Sequence, residues 1–241
     1  MKKIAFISDI HLDEKFPIEQ GVDTRGNWNL ILQDVATRKV DEIIFGGDIG
    51  ERESAQWFFE SLKNYPSLNV ILGNHDHFSE VGKYYTNNYF QNKTELYYAY
   101  EDDFLKYIYL DSSTDTISDI QFEWFQQELF SSKKIILFIH HPILEINTAV
   151  DKLYPLKNRK KIKQELLKHK NEVYIFCGHY HMIDERTDGS IKQFITPATS
   201  YQVKKESSVI EIETDTFGYR VISIDKGEIN SDLFLFKNGS F

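Results

Sequence analysis

Cysteine is nearly missing from this sequence, since Cys177 is the only one among 241 residues. A disulfide within the chain is excluded, and the composition fits a reducing compartment. Lying in the run "VYIFC", that cysteine reads as a small apolar filler. Long apolar runs are missing too, and none approaches the roughly 20 residues needed to span a bilayer. The N-terminal "MKKIAFISDIH" carries two lysines like a secretory leader, but Ser8 and Asp9 interrupt its apolar stretch. It reads as a first strand, and the protein is expected in the cytoplasm. An excess of basic residues is also absent: 28 Lys and Arg stand against 37 Asp and Glu, a formal charge of −9. Nucleic acid and anionic membranes are repelled by such a balance. No repeat, linker or low-complexity segment is recognisable. With 41% hydrophobic and 27% charged residues, the chain has the composition of a globular protein. One domain over residues 1–241 is expected, with an antiparallel C-terminal portion from about residue 190.

What the sequence does contain is a recurring ending. Five apolar runs finish on ligand-type residues: "IAFISDIH", "EIIFGGD", "NVILGNHD", "KIILFIHHP" and "VYIFCGHYH". Runs of Val, Ile, Leu and Phe without alternation suit strands covered on both faces, as in a parallel sheet. Ligands collect at the carboxyl ends of such strands. One site built from Asp9, His11, Asp48, Asn74, His75, His140, His179 and His181 accounts for all five endings.

Between the strands lie helical segments: "NWNLILQDVATRK", "ESAQWFFESLKNY", "SDIQFEWFQQELF" and "NRKKIKQELLKHK". Ser118 predicts an N-cap with Gln121 three residues on, and Ile120, Trp124, Phe125 and Leu129 share one helical face. The alternation of strand and helix means βαβ crossovers and largely parallel strands. Two aromatic-rich strands around Glu101, Asp102 and Asp103 read as a hairpin, which makes the sheet mixed. After residue 190 helical periodicity vanishes, and the tail predicts a second, antiparallel sheet packed on the first.

Imidazoles, carboxylates and one amide make a nitrogen and oxygen shell suited to manganese, iron or zinc rather than calcium. Along a strand end, Asp9 and His11 can point the same way, as can His179 and His181. Seven candidate ligands exceed what one ion needs from protein if a water position stays open, so two metals are expected. Such a pair, about 3.5 to 4 Å apart, activates water and clamps both oxygens of an in-line phosphoryl displacement. It also leaves the pocket cationic inside an anionic protein.

In order along the chain, Asp9-Ile10-His11, Gly47-Asp48, Gly73-Asn74-His75-Asp76, His140-His141-Pro142 and Gly178-His179-Tyr180-His181 resemble the calcineurin-like metallophosphoesterases. "TPATSYQV", "GYRVISIDKGEI", "IYLDSS" and "QFEWFQQEL" extend that resemblance, over nearly the whole chain, to bacterial class III cyclic-nucleotide phosphodiesterases. The resemblance implies an α/β fold, an αββα sandwich of two mixed β-sheets flanked by helices. It implies two divalent or mixed-valence transition metals, with Asp9, His11, Asp48 and His181 on one. Asp48, Asn74, His140 and His179 would hold the other, and Asp48 would bridge the pair. The family's His-x-Pro spacing selects His140 over His141, which would face the opposite side. His75 would donate a proton to, or stabilise charge on, the departing oxygen without being a permanent metal ligand.

The expected activity is hydrolysis of a small phosphodiester, a 3′,5′-cyclic nucleotide first of all, by metal-bound hydroxide. A phosphomonoesterase or another small-diester phosphodiesterase is the alternative, and a silent scaffold of the retromer-subunit kind is a further one. A small phosphate ester is the expected partner, without nucleic acid or membrane, and a homodimer is compatible with this reading. His77 reads as a loop residue and His169 as a solvated helix end, while Tyr84, Tyr85 and Tyr89 read as core and hairpin.

Overall fold

The unbroken apolar runs become the central parallel strands of two sheets in the computed structural model, which describes residues 1–65, 67–86 and 94–238. In the first sheet, β1 (Lys2–Ile7), β2 (Glu42–Phe45) and β3 (Leu68–Val70) run parallel in that order. On the free side of β1 lie β12 (Thr216–Asp225) and then β13 (Glu228–Lys237), both antiparallel to their neighbours. The second sheet is built from β4 (Tyr98–Glu101), β5 (Leu105–Leu110), β6 (Lys134–Ile139), β7 (Val173–Cys177), β8 (Asp184–Asp188) and β9 (Ile191–Ile195). Its spatial order is β4-β5-β6-β7-β9-β8, with β5, β6, β7 and β9 parallel and the two edges antiparallel.

Alternate residues of the second sheet belong to two different cores, as the two-residue period of a strand requires. From β6, Ile136 and Phe138 pack between the sheets, and Ile135, Leu137 and Ile139 pack outward. Phe6 of β1 meets Phe138 at 5.6 Å between ring centroids. Outside the first sheet, α2 (Thr24–Arg38) and α3 (Ala55–Ser61) bring Trp28, Ile31 and Phe58 to the same core. Outside the second, α5 (Asp119–Glu128), α6 (Ala149–Leu153) and α7 (Arg159–Leu166) bring Phe122, Val150 and Ile162 to the other. The result is an αββα sandwich. Two short helices, α1 (Lys15–Glu19) and α4 (Phe78–Val81), and a ribbon of β10 (Gln202–Val203) with β11 (Ile212–Glu213) lie outside these layers. Among the described residues, no helix is long and apolar enough to cross a membrane.

The hairpin around residues 101–103 is present as β4 and β5. The tail departs from the expectation of its own sheet. Its strands divide: β9 joins β7 in parallel, and β12 and β13 extend the first sheet. Helix α5 turns Trp124, Phe125 and Leu129 to the outer core as expected but not Ile120, because the Gln121 carboxamide accepts from Asp111 N at 2.8 Å and donates to Asp111 O at 2.9 Å. That pair of hydrogen bonds draws Gln121 and Phe122 into the interior beside Phe125 and leaves Ile120 70% exposed. Ser118 does cap the helix, accepting from Gln121 N at 3.1 Å. His169 is buried, with one ring nitrogen 2.9 Å from the Lys133 carbonyl, where a solvated position was expected. Tyr85 is core, Tyr84 is partly exposed, and Tyr89 lies outside the described residues.

Candidate metal centre

All eight residues singled out in the sequence meet at one end of the sandwich. Asp9 and His11 follow β1, Asp48 follows β2, and Asn74 and His75 follow β3, while His140 follows β6 and His179 and His181 follow β7. They reach the site by an unexpected backbone route. Neither pair lies on a strand; instead Asp9, His11, Asp48, His179 and His181 adopt left-handed φ of 58°, 53°, 61°, 70° and 50°. A left-handed residue on either side of Ile10, and on either side of Tyr180, turns the flanking side chains the same way. Each such conformation costs about 1–3 kcal/mol unless the surroundings enforce it.

Here the surroundings do enforce it. Asp9 N donates to Gly47 O at 3.0 Å, Ile10 N and His11 N both donate to Asp48 O, and Leu12 N donates to Ile49 O at 2.8 Å. Asp76 pins the next two loops, accepting from Asp48 N at 2.7 Å, Ile49 N at 2.9 Å and Gly73 N at 2.9 Å. At Gly73 an added Cβ would overlap the Asp48 carboxylate, and at Gly178 it would overlap that of Asp9, so both motifs need glycine. The "TPATSYQV" segment closes the far side, with Thr199 N on Ser8 O, Ser200 N on Asp9 O and Val203 N on His181 O.

Tyr180 shows why two histidines flank a tyrosine. It points away from them into the outer core, fully buried, and its hydroxyl donates to Asp151 at 2.7 Å. Asp151 also accepts from Ile146 N, Asn147 N and Arg159, joining the histidine loop to α6 and α7.

The imidazole protons are turned outward. His140 Nδ1 faces Gly46 O at 2.8 Å, His181 Nδ1 faces Tyr201 O at 3.0 Å, and His179 Nε2 faces Tyr154 O at 2.9 Å. A carbonyl only accepts, so each of these nitrogens carries hydrogen and turns its opposite nitrogen toward the centre, where it can take up a cation or a proton. His11 Nδ1 likewise donates to Glu14 at 3.0 Å. The freed nitrogens converge on the carboxylates: Asp48 lies 3.2 Å from His140 Nε2 and 3.6 Å from His11 Nε2, and Asp9 lies 3.3 Å from His181 Nε2. His11 Nε2 and His181 Nε2 face one another at 3.0 Å. Two lone pairs repel at that distance, so this contact requires a positive charge between the rings. Two further buried atoms, His140 Nε2 and Asn74 Oδ1, have no hydrogen-bond partner. Orphaned acceptors around two carboxylates fit a centre for cations of the manganese, iron or zinc kind.

Electrostatics agree with that fit. Burial would raise Asp9, but His181 and His140 outweigh it and hold the carboxyl at about 2. Burial is likewise overcome at Asp48, which His140 and His11 keep well below the usual carboxylate range. Against its own burial, His140 is raised to about 10 by Asp48 and Asp9. The carboxylates thus draw a positive charge into the centre. His179 drops to about 4, first through burial and then through His140.

His75 stands at the rim, 42% exposed at its side chain, and meets His11 edge-on at 4.6 Å. Its Nδ1 donates to Glu14 at 2.9 Å, and that bond raises it to about 9 despite partial burial. Glu14 therefore holds two histidines at once, a role no sequence pattern disclosed. Asp76 was missed as well, hidden in the stretch His75-Asp76-His77; His77 itself is exposed outside the cluster. His141 is not on the opposite side as expected. It is buried with its ring 3.9 Å from that of His179, because the chain has left β6 at Ile139 and no longer alternates.

His11, Asp48, Asn74, His75, His179 and His181 line a cavity of about 380 Å³, whose remaining wall is largely apolar. Residues 2–182 match the family described as calcineurin-like phosphoesterase. Among curated proteins, the chain is similar to a Fibrobacter succinogenes protein described as a probable cyclic nucleotide phosphodiesterase. They are 28% identical, covering 91% of this chain and 88% of that one. A probable glycerophosphodiester phosphodiesterase of Arcobacter nitrofigilis is 29% identical, over 83% of this chain and 79% of that one. Among solved structures, a dimetal phosphatase from Danio rerio aligns with a TM-score of 0.62 at 13% identity, covering 98% of both chains, which shows the shared fold.

Proposed function

The chain belongs to the calcineurin-like phosphoesterase family, and from that premise we propose that it is a metal-dependent phosphodiesterase acting on a small phosphodiester, a 3′,5′-cyclic nucleotide first of all. The observation that carries this reading is the gathering of inward-facing imidazole nitrogens, two carboxylates and an orphaned amide oxygen at one end of the sandwich. Asp9, His11, Asp48 and His181 would hold one cation, and Asp48, Asn74, His140 and His179 a second, with Asp48 shared. When bound, two such cations supply Lewis-acid polarisation of the phosphoryl oxygens and lower the pKa of water.

The chain's own residues do the rest. Glu14 fixes the His11 tautomer and orients His75, whose Nε2 is left to carry a proton at the rim of the cavity. There it can pass that proton to the departing sugar oxygen, the step for which an alkoxide needs an acid. The backbone carbonyls of Gly46, Tyr154 and Tyr201 hold three other imidazoles in their donor orientation. This is how carbonyl partners tune metal-binding histidines.

The 28% identical cyclic nucleotide relative supports the cyclic diester, and the 29% identical glycerophosphodiester relative favours a second reading, a small non-nucleotide diester. Manganese, iron and zinc all suit the donor set, and the single cysteine suits a cytoplasmic setting. Turnover of cyclic AMP and bis(p-nitrophenyl) phosphate, with chelated and with manganese-loaded protein, tests the proposal. Both are expected to be hydrolysed only in the loaded state. Hydrolysis that survives complete removal of metal would overturn it.

A further inference from the structure

The cavity at the metal centre has two unlike halves. One is the cluster already described; the other is assembled from four separate segments of the chain. Phe16 comes from α1, Tyr154 from the end of α6, Tyr201 and Val203 from the "TPATSYQV" segment and β10, and Ile210 from the loop between β10 and β11. Beyond the cluster, the described lining residues offer only two tyrosine hydroxyls as polar side-chain atoms. Phe16 is 42% exposed and Ile210 is 36% exposed, large apolar surface turned to solvent beside a charged centre.

This wall is coupled to the ligands. The carbonyl of Tyr201 fixes His181 and that of Tyr154 fixes His179, so the side chains of the same two residues stand at set positions beside the centre. Tyr201 packs against His181 at 4.5 Å with the rings tilted by 42°, and meets Phe16 edge to face at 5.3 Å and 67°. Phe16 nonetheless lines the cavity and keeps 42% of its surface exposed. An anionic group at the cluster would therefore carry its substituent onto an aromatic and aliphatic surface with little to hydrogen-bond. Binding pockets for small molecules occupy about 300–1,000 Å³, and 380 Å³ is enough for one nucleotide-sized ligand.

Resting on the phosphodiesterase reading, we infer that Phe16, Tyr201 and Ile210 form a platform for the planar base of a nucleotide and hold it by stacking and apolar contact rather than by reading its edge. A base has a π face whatever its identity, so stacking tolerates all of them. The polar chain of a glycerophosphodiester gains nothing from this surface. The substrate class is then cyclic nucleotides with weak discrimination between bases, which decides against the glycerol alternative.

Equilibrium binding tests the platform without needing turnover. With manganese-loaded protein, Phe16→Ala is expected to weaken adenosine 5′-monophosphate about tenfold, while inorganic phosphate, which lacks a base, changes less than about twofold. Phe16→Trp restores adenosine monophosphate binding. Equal weakening of both ligands, or no weakening of either, overturns the platform. Kinetics supply the second arm: wild-type kcat/KM for cyclic AMP and cyclic GMP is expected within about threefold, and a preference above about thirtyfold overturns edge-blind recognition. Base-dependent binding without hydrolysis of any cyclic nucleotide would overturn the phosphodiesterase reading alone and leave the platform standing.

Discussion

His75 has one ring nitrogen committed to Glu14 and the other facing the cavity. If it donates a proton to the leaving oxygen, its value depends on how much that oxygen needs one. Replacing it with alanine should leave metal content intact and reduce cyclic AMP hydrolysis by about 100- to 10,000-fold. A nitrophenolate departs readily without help, so bis(p-nitrophenyl) phosphate should lose far less. Equal losses on both would mean that His75 positions phosphate and gives no proton. The ligands of this site were legible in sequence because aspartate, histidine and asparagine rarely follow five apolar runs in one chain unless they meet around a common ligand. Glu14 was not, since an acid between Asp13 and Lys15 looks the same whether it is solvated or grips two imidazoles.

Among elements, the loop after β7 holds its two histidines through the tyrosine between them. Tyr180, Asp151 and Arg159 form a hydrogen-bonded chain, and Asp151 is held below the usual carboxylate range by Arg159 and Tyr180 against its burial. A lowered pKa means that the ionised form is preferred in the folded state. Its stabilisation is complete above the unfolded value of about 4 and is lost as pH falls below that. Asp151→Asn should therefore cost about 1–3 kcal/mol at pH 7, or about 3–10 °C in Tm for a chain of this size. The gap to the wild type should narrow in melts at pH 3. An equal gap at both would show that the amide fails for reasons other than charge.

The same element-level view shows what sequence could not deliver. Periodicity located the parallel strands because burial on both faces writes unbroken apolar runs, as in "KIILFI". It could not say which sheet a tail strand joins, since β9 and β12 look alike, yet β9 pairs with the nearby β7 and β12 with the distant β1. Nor could it foresee left-handed turns at Asp9 and His11, which depend on hydrogen bonds to the loop after β2.

On the scale of the molecule, the centre is shared between sheets. Asp9, His11, Asp48 and Asn74 follow strands of the first, and His140, His179 and His181 follow strands of the second. Cations held there would tie the two layers together, so they should stabilise the whole fold. At 100 times its Kd, a ligand of the native state adds about 2.7 kcal/mol, which predicts a manganese-dependent rise in Tm of about 5–10 °C. Asp48→Asn should abolish most of that rise, because its carboxylate stands between His11 and His140. An undiminished rise in that variant would remove Asp48 from the centre.

Cys177 ends β7, fully buried, one residue before the loop that carries His179 and His181. Burial raises its thiol well above the ordinary range, so in the closed molecule it is both hidden and unreactive. Alkylation by a small reagent must then wait for β7 to open, and with one cysteine in the chain each modified molecule records one such event. The labelling rate is a clock for the breathing of the central strand, and its slowing by manganese would measure how tightly the centre latches that strand shut.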